Sequence, residues 1–410
     1  MVRRLDVRGS GRKGMRIRAF FIFLLPALSV AAIGFWRATR TRATSAAPSA
    51  SYSYLRNWNP EVAASYLDYR EVWWQHWPPT QKDHGTICIS CHTVVPYALA
   101  RPALQRQIGE TRMPAPEKTM MDSVEKRVAN WSETGPFYSD AEDGPGKTAQ
   151  SHATEAVLNA VILASYDAGQ GYLRPITRTA FDEAWALQEK TGKNAGGWKW
   201  QDFDLAPWES KESGYQGAAL LAVALENAPD RYADEPGIRE HLRLLQEYLQ
   251  RQYAAQPVMS QLYVLWASAR MPGLLTGTER AELMKKIERL QQSDGGWALL
   301  SLDEPTELRR VLSDRWKFRS RSAESDGCAT GLIVLALEES GVSPQDNTLK
   351  RGLEWLQHHQ QKDGSWRGFS LNAQRDPESD VGRFMTDAAT GYAVLALETA
   401  QKEANRAGTL

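Results

Sequence analysis

A block of ten small and apolar residues occurs twice near the end of the chain, and it constrains the fold more than any other feature. Residues 329–338 read ATGLIVLALE and residues 389–398 read ATGYAVLALE. Segments that are apolar nearly all round their helical circumference belong in a protein interior. Weaker copies of the block follow the same pattern at 93–100, 152–164, 214–226 and 259–269. The sequence therefore predicts six buried helices that repeat one structural unit.

More amphipathic helices, each with a charged face, are predicted between the buried ones. They fall at about 103–128, 178–189, 238–253, 278–292 and 347–361. Apolar residues in these segments recur at helical spacing, and no segment alternates as a β-strand does. Alternating buried and half-exposed helices fit an inner ring wrapped by an outer ring. The predicted fold class is all-α, an α/α toroid of about six inner and five to six outer helices.

The loops between these helices carry a second repeated pattern. Residues 351–366 read RGLEWLQHHQQKDGSW, a shorter copy spans 290–297, and a degraded one spans 185–198. The pattern resembles the QW repeat of squalene-hopene and oxidosqualene cyclases, with Gln360 and Trp366 in the naming positions. In such a repeat the amide side chain caps a helix end and the indole packs on a neighbouring turn. The resemblance covers roughly 85–400 and implies the α/α toroid of terpenoid cyclases and protein prenyltransferases.

The acidic motif that squalene-hopene cyclases use to protonate an alkene is absent. When the repeats are aligned on their shared threonine, the position of the central acid holds Cys328 in one copy and Ala388 in the other. A thiol with an ordinary pKa near ~8.5 is too weak an acid for that step. Residues 326–328 also resemble the Asp-x-Cys zinc ligands of prenyltransferase β subunits, but the histidine partner is missing. Asp326, Cys328 and Asp387 remain candidates for a cavity site, and their catalytic role is unassigned.

Two of the three cysteines stand in a short motif at residues 88–92, which read CISCH. On a helix, Cys88, Cys91 and His92 would share one face. The motif resembles the haem-attachment motif of c-type cytochromes. The resemblance implies haem c bound through thioether bonds to Cys88 and Cys91, with His92 as the proximal iron ligand.

Several alternatives for this motif stay open. A sixth iron ligand could come from His152 or from Met113, or the position could be vacant. The same cysteines and His92 could hold zinc with one more ligand, or the two thiols could form a disulfide. Aligning the repeats places Cys91, His152 and Cys328 at equivalent positions. We therefore expect one end of the ring to carry them together with Cys88, His92, Asp326 and Asp387.

The N-terminus has the pattern of a membrane anchor. Seven arginine and lysine residues accompany a single aspartate in residues 1–18, and residues 19–36 are free of charge. Such a run is just long enough to span a bilayer, and its basic flank stays in the cytoplasm. We expect a single-pass protein of the bacterial inner membrane with its toroid in the periplasm, although a cleaved signal peptide is the alternative. The predicted parts are a basic segment and anchor at 1–42, a tether and Trp-rich lead-in at 43–84, and the toroid at 85–405.

Charge and function hypotheses follow from these features. Lys plus Arg equals Asp plus Glu at 49 each, so nucleic acid is not an expected partner. The leading hypothesis is an exported toroid that carries haem for electron transfer or redox chemistry, with an isoprenoid or hopanoid-like lipid as candidate substrate and a periplasmic redox partner. The alternatives are a haem-free enzyme similar to terpenoid cyclases or prenyltransferases, or a lipid-binding toroid, with zinc at the Cys/His site.

Overall fold

Helices make up nearly all of the regular structure in the computed structural model, which describes residues 57–303, 323–372, 375–406 and 408. These residues belong to one unit that spans 48–410. The predicted anchor at 1–42 lies outside the described residues, and none of the helices described is long and apolar enough to cross a membrane. The all-α prediction is confirmed for the described part of the chain.

The described part contains fourteen α-helices, several single 3₁₀ turns and one two-stranded antiparallel hairpin. In chain order the elements are α1 (Pro60–His76), β1 (Gln81–Lys82), β2 (Thr86–Ile87), α2 (Val94–Gln107), α3 (Ala115–Ala129), α4 (Asp140–Asp143), α5 (Lys147–Gln170), α6 (Pro175–Ala186), α7 (Ser213–Asn227), α8 (Arg239–Gln252), α9 (Val258–Ser268), α10 (Gly277–Leu290), α11 (Leu299–Leu302), α12 (Gly327–Glu339), α13 (Asn347–His358) and α14 (Phe384–Arg406).

Six helices form an inner ring. Each packs on the next in the order α2, α5, α7, α9, α12 and α14, and α14 packs back on α2. Their residues are buried around most of the helical circumference, as expected for helices with neighbours on every side. The six predicted buried segments fall in these helices, and none extends more than one residue beyond a helix end. This neighbour order is consistent with the predicted α/α toroid.

Six further helices of 12 to 17 residues cover the inner ring from outside: α1, α3, α6, α8, α10 and α13. The predicted outer helix at 103–128 is interrupted, because α2 continues to Gln107 and α3 begins only at Ala115. Gly109 has a positive φ of 73° in that break, and Pro114 precedes α3. Helix α1 lies inside the predicted lead-in at 43–84, yet it packs on α2 and α14 as part of the outer layer.

The glutamines of the three QW segments join successive outer helices. The Nε2 amide of Gln188 donates to the His241 carbonyl at 3.0 Å, and that of Gln291 donates to the Thr348 carbonyl at 2.8 Å. Both acceptors lie in the first turn of the next outer helix. Gln360 donates to the carbonyl of Asn59, the residue that caps α1, at 2.9 Å, and accepts from the Asn59 backbone N–H at 2.7 Å. The last QW segment therefore closes the outer layer by linking α13 to α1.

The tryptophans of the same segments hold the preceding outer helix. The indole N–H of Trp198 donates to the Ala184 carbonyl at 2.6 Å. In the same way, Trp297 donates to the Ile287 carbonyl at 2.9 Å, and Trp366 donates to the Leu356 carbonyl at 2.6 Å. All three accepting carbonyls lie near the C-terminus of their helix. Carbonyl groups in the last turn of a helix lack the regular backbone partner four residues further on. The three indoles are at most 4% exposed. Each QW segment thus satisfies the end of one helix and fixes the start of the next.

A buried carboxyl on α1 gives the fold a predictable pH dependence. Burial raises the pKa of Glu71 from its ordinary value of 4.5 to about 8. Its contribution to stability is therefore complete below pH 4.5 and falls as the pH rises to about 8, by an amount on the order of a few kcal/mol. We expect Glu71→Gln, which can still accept from the Gln75 amide, to reduce this fall. Urea unfolding between pH 4.5 and 8 measures it, with the exposed Glu61→Gln as the matched control on the same helix. Equal pH slopes for all three proteins would contradict the prediction.

Candidate functional site

The starts of several inner helices meet at one end of the ring. Thr93 at the start of α2 bonds to Asp387 in the first turn of α14. Ser151 in the first part of α5 accepts from the Tyr138 backbone N–H, and Ser213 at the start of α7 lines a cavity with Cys91. We call this end the mouth and define it by Cys88, Cys91, His92, Trp208 and Glu209.

The CISCH segment enters the mouth before α2 begins. Cys88 follows β2, lies outside regular secondary structure and donates its backbone N–H to the Thr80 carbonyl at 2.8 Å, while residues 91–93 form a turn. Ser90 holds that turn, because its hydroxyl accepts from the backbone N–H groups of Thr93 and Val94, each at 3.1 Å. The expectation that the motif occupies one face of a helix is corrected by this arrangement. A serine at this position favours a capped turn over a helix.

The hydrogen bonds around His92 define which ring nitrogen carries the proton. The Thr93 hydroxyl donates its single hydrogen to Asp387 Oδ2 at 2.8 Å. It must therefore accept from His92 Nδ1, which lies 2.9 Å away. Burial and the charges of Arg70 and Arg375 lower the pKa of His92 to about 3. The imidazole is neutral, with its proton on Nδ1 and its lone pair on Nε2.

Asp387 anchors this chain of hydrogen bonds through a buried ion pair. Arg70 of α1 contacts both carboxylate oxygens, at 2.7 Å and 3.1 Å, and Tyr66 donates to Oδ1 at 2.9 Å. Both Arg70 and Asp387 are 1% exposed. Burial raises the pKa of Asp387, and Arg70 opposes that shift. The carboxylate therefore acts here by orienting Thr93, and through it His92.

Aromatic rings surround the His92 imidazole. Phe384 stacks on it with 4.0 Å between centroids, and Trp74 meets it edge to face at 5.3 Å. Trp208 approaches from the loop before α7 at 6.3 Å. The indole N–H of Trp74 also fixes the motif by donating to the Cys88 carbonyl at 2.7 Å. The imidazole is thus held in one orientation by packing as well as by its hydrogen bond.

The two thiols of the motif are half-buried and un-ionised. Burial raises the pKa of Cys88 to about 12 and also raises that of Cys91. The charge of Glu209 also contributes to raising the pKa of both thiols. Glu209 is itself half-buried, and burial raises the pKa of its carboxyl group, against the opposing charges of Lys147 and Arg375. All three cysteines are free thiols in the structure. The mouth therefore presents neutral sulphur and nitrogen donors beside one carboxyl group.

The space between the inner helices beneath Cys91 is small. The cavity that Cys91 lines with Gln216, Tyr263 and Tyr392 has a volume of about 20 Å³, which suits roughly one water molecule. The two phenol hydroxyls bond to each other at 2.6 Å. The Oε1 atom of Gln216 has no hydrogen-bond partner among the described residues. The interior of the ring is therefore filled by side chains at this level.

The acidic candidates from the sequence occupy structural positions. Asp326 caps α12: its Oδ1 accepts from the Cys328 and Ala329 backbone N–H groups at 2.9 Å and 3.0 Å, and its Oδ2 accepts from that of Leu299 at 2.6 Å. Burial raises the pKa of Asp326 to about 7. Cys328 is fully buried, and the pKa of Tyr263 is raised mainly by burial, with smaller contributions from Cys328 and Cys91. The structure thus brings the Cys91 and Cys328 side chains to the same tyrosine, and both Asp326 oxygens are engaged with backbone.

The two candidates for a sixth iron ligand do not lie beside His92. Met113 follows the far end of α2, a helix of 14 residues, which separates its ends by about 21 Å. His152 lies in a separate cleft, where it meets Trp131 edge to face at 5.4 Å. This geometry disfavours both as partners of His92. Among the described residues no group of three or more His, Cys, Asp or Glu side chains is placed to hold a metal ion.

Four residues at or beside the mouth were not predicted from the sequence: Tyr138, Trp208, Glu209 and Phe384. Tyr138, Trp208 and Glu209 come from loops without repeat or motif, and Phe384 opens α14 five residues before the recognisable block. No local pattern marks them, because their position depends on the closure of the ring.

One comparison with known proteins, a family match near the end of the chain, supports the fold. Residues 327–409 match the family described as Squalene-hopene cyclase C-terminal domain. No curated protein matches the chain. Two solved structures of a glycosidase, one titled as the wild type and one as a variant with a single substitution, are each 11% identical with a TM-score of 0.45. Each match covers 86% of this chain and 98% of the glycosidase chain. Similarity at that level carries no information about function.

Proposed function

We propose that the protein is a redox protein that carries one c-type haem at the mouth of its helical ring. Cys88 and Cys91 would form the thioether bonds, and His92 would be the proximal iron ligand. When bound, haem supplies one-electron chemistry through its iron. Electron transfer, or redox chemistry with an isoprenoid lipid as candidate substrate, is the corresponding function.

The observation that carries this proposal is the state of the His92 ring. A histidine that binds a metal is neutral, offers one nitrogen lone pair and donates its other N–H to a fixed acceptor. The Thr93 hydroxyl bonds to Asp387 and lies 2.9 Å from His92 Nδ1, so we assign the ring proton to Nδ1 and the free lone pair to Nε2. The buried Arg70–Asp387 pair holds that acceptor in place.

The remaining residues of the mouth fit haem in their chemistry. Both thiols are half-buried in the segment that leads to His92, so attachment needs no rearrangement of the ring interior. The aromatic side chains around His92 offer the apolar contact that a porphyrin requires. Because the cavity beneath Cys91 is only about 20 Å³, haem would lie over the mouth and outside the ring interior.

The haem-free alternative has less support from the geometry. A terpenoid cyclase or lipid-binding toroid needs a cavity of several hundred Å³ for its ligand. The cavity at the level of Cys91 is far smaller. The carboxylate of Asp326 is committed to three backbone donors, which leaves it no free oxygen for substrate. The match of residues 327–409 to a cyclase family is therefore attributed to fold.

The same proposal includes the cell location inferred from the sequence. Haem attachment through thioether bonds takes place outside the cytoplasm, and the N-terminal pattern of residues 1–42 favours export with a single anchor in the bacterial inner membrane. The redox partner would then be periplasmic. The charge balance of the chain gives no reason to expect nucleic acid as a partner.

Absorption spectroscopy of the purified full chain tests the proposal. When the protein is produced together with a haem-attachment system, we expect a Soret band and a pyridine haemochrome spectrum corresponding to about one haem c per chain. Cys88→Ser combined with Cys91→Ser should abolish covalent haem. Cys328→Ser is the matched control, because Cys328 is buried in α12 and lies outside the motif, and it should retain haem. A parent protein that folds without any haem band would overturn the proposal.

A further inference from the structure

A cleft on the side of the ring is not used by the proposed haem site. It has a volume of about 660 Å³ and lies between the first turns of α5 and the end of α6, beside Trp131 from the loop after α3. Ligand pockets for small molecules have volumes of about 300–1,000 Å³. Residues 148, 149, 152 and 153 of α5 face this cleft. Ser151, on the same helix, instead bonds to Tyr138 at the mouth. The cleft and the mouth are thus separate sites on two faces of α5.

One wall of the cleft is aromatic and apolar. Trp131 is half-buried, and the His152 ring meets it edge to face at 5.4 Å with an interplanar angle of 69°. Leu187 adds an exposed apolar surface, with 36% of its area accessible. An indole face carries partial negative charge and attracts groups with partial positive charge, such as the C–H bonds on one face of a sugar ring. The wall therefore suits a ring that is apolar on its face.

The rim of the cleft is polar and contains both donors and acceptors. Asp140 is held in place because its Oδ1 accepts from the Thr148 N–H and its own N–H donates to the Thr148 hydroxyl, each at 2.9 Å. Glu189, Lys199 and His152 complete the rim. Within the described ranges, neither the ring nitrogens of His152 nor the side chains of Glu189 and Lys199 have a hydrogen-bond partner.

The charges of the rim select the class of ligand. Two carboxylates and one ammonium group give a net charge of about −1, which disfavours an anion. Burial lowers the pKa of His152, so its ring is neutral and offers one donor and one acceptor. No cluster placed to hold a metal ion exists among the residues described. A hydroxyl group both donates and accepts, so a ring with several hydroxyls can pair with every group of this rim.

We propose that this cleft binds a neutral polyhydroxylated ring, of the class of a pyranose unit in a glycan. Trp131 would pack against the ring face, while Asp140, Glu189, Lys199 and His152 would bond to its hydroxyls. The inference is independent of haem, because no group of the cleft belongs to the mouth.

Glycan binding by the full chain, in a detergent without a sugar headgroup, tests the inference. On an array of neutral, acidic and amino glycans we expect retention of neutral hexose-containing glycans. Titration with the best glycan should give a dissociation constant that rises at least tenfold in Trp131→Ala. Lys199→Ala should also weaken binding, by about threefold or more, and this exposed residue can be changed without disturbing the fold.

Tyr172→Ala is the matched control. Tyr172 is a 53% exposed aromatic residue just beyond the far end of α5, and its loss should leave the affinity unchanged. Retention of no neutral glycan by the folded parent would overturn the inference. So would a preference for anionic glycans, or equal affinities for the parent, Trp131→Ala and Lys199→Ala. None of these outcomes bears on the haem proposal, which has its own spectroscopic test.

Discussion

Replacing Gly364 with alanine is expected to cost more than about 4 kcal/mol, because the outer layer could no longer close. Gly364 belongs to the last QW segment and has a φ of +93°. A methyl group there would overlap the Val62 carbonyl and lie 2.8 Å from Ala63 N, both in the first turn of α1. These are backbone atoms of a helix that cannot move aside. The cost adds to about 1–2 kcal/mol for placing a side chain at positive φ.

Gly341→Ala separates the two costs. Gly341 has a φ of +78°, but an added methyl group would have no atom within 4 Å. This variant therefore carries the conformational cost alone and should lose about 1–2 kcal/mol. Urea unfolding of the parent and both variants, monitored by circular dichroism, measures the differences in their free energies of unfolding. If Gly364→Ala were no less stable than Gly341→Ala, the close contact between the last QW segment and α1 would not be needed for the folded state.

The inner ring was predictable because the burial of a helix is reflected in the local sequence of that helix. A helix with neighbours on every side must be apolar all round, and the blocks at 329–338 and 389–398 show that pattern in ten residues each. Helix α1 was missed for the converse reason. Its exposed face includes Tyr69 and Val72, at 55% and 40% exposure, so its polar side does not stand out from its buried side. Its place in the outer layer depends on the Gln360 contact with Asn59, 301 residues away in sequence.

The site was predictable only in its motif. Residues 88–92 stand out by composition, whereas Trp208 and Phe384 reach His92 through loops and closure that no local pattern records. The expectation that His152 shares the position of Cys91 depended on aligning weak repeats to within one residue. An error of one residue turns a side chain by about 100° around a helix axis. Ser151 is fully buried towards the mouth, while His152 faces the lateral cleft, which matches such an offset.

Arg70→Met is expected to destabilise the protein by about 3–5 kcal/mol near neutral pH. The Asp387 carboxylate is only 1% exposed, and after the change its side-chain donors would be only the hydroxyls of Tyr66 and Thr93. Without the guanidinium group, burial would raise the pKa of Asp387 further above its ordinary value of 3.8. An acid with a raised pKa loses stability as the pH rises. The loss caused by Arg70→Met should therefore be smaller at pH 5 than at pH 8.

Two further variants distinguish an uncompensated charge from lost packing. Adding Asp387→Leu to Arg70→Met removes the stranded carboxylate, so the double variant should recover a large part of the lost stability and show no extra dependence on pH. Arg383→Met breaks the ion pair with Glu378, which is 81% exposed, and should cost less than about 1 kcal/mol. Urea unfolding of the parent and the three variants at pH 5 and pH 8 decides between an uncompensated charge and lost packing. The contradicting result would be a double variant that is less stable than Arg70→Met, with equal losses at both pH values. Arg70 would then act by packing on Trp73, whose ring centroid lies 4.5 Å from the guanidinium carbon. In that case the Asp387 carboxylate would not be what orients Thr93 and His92.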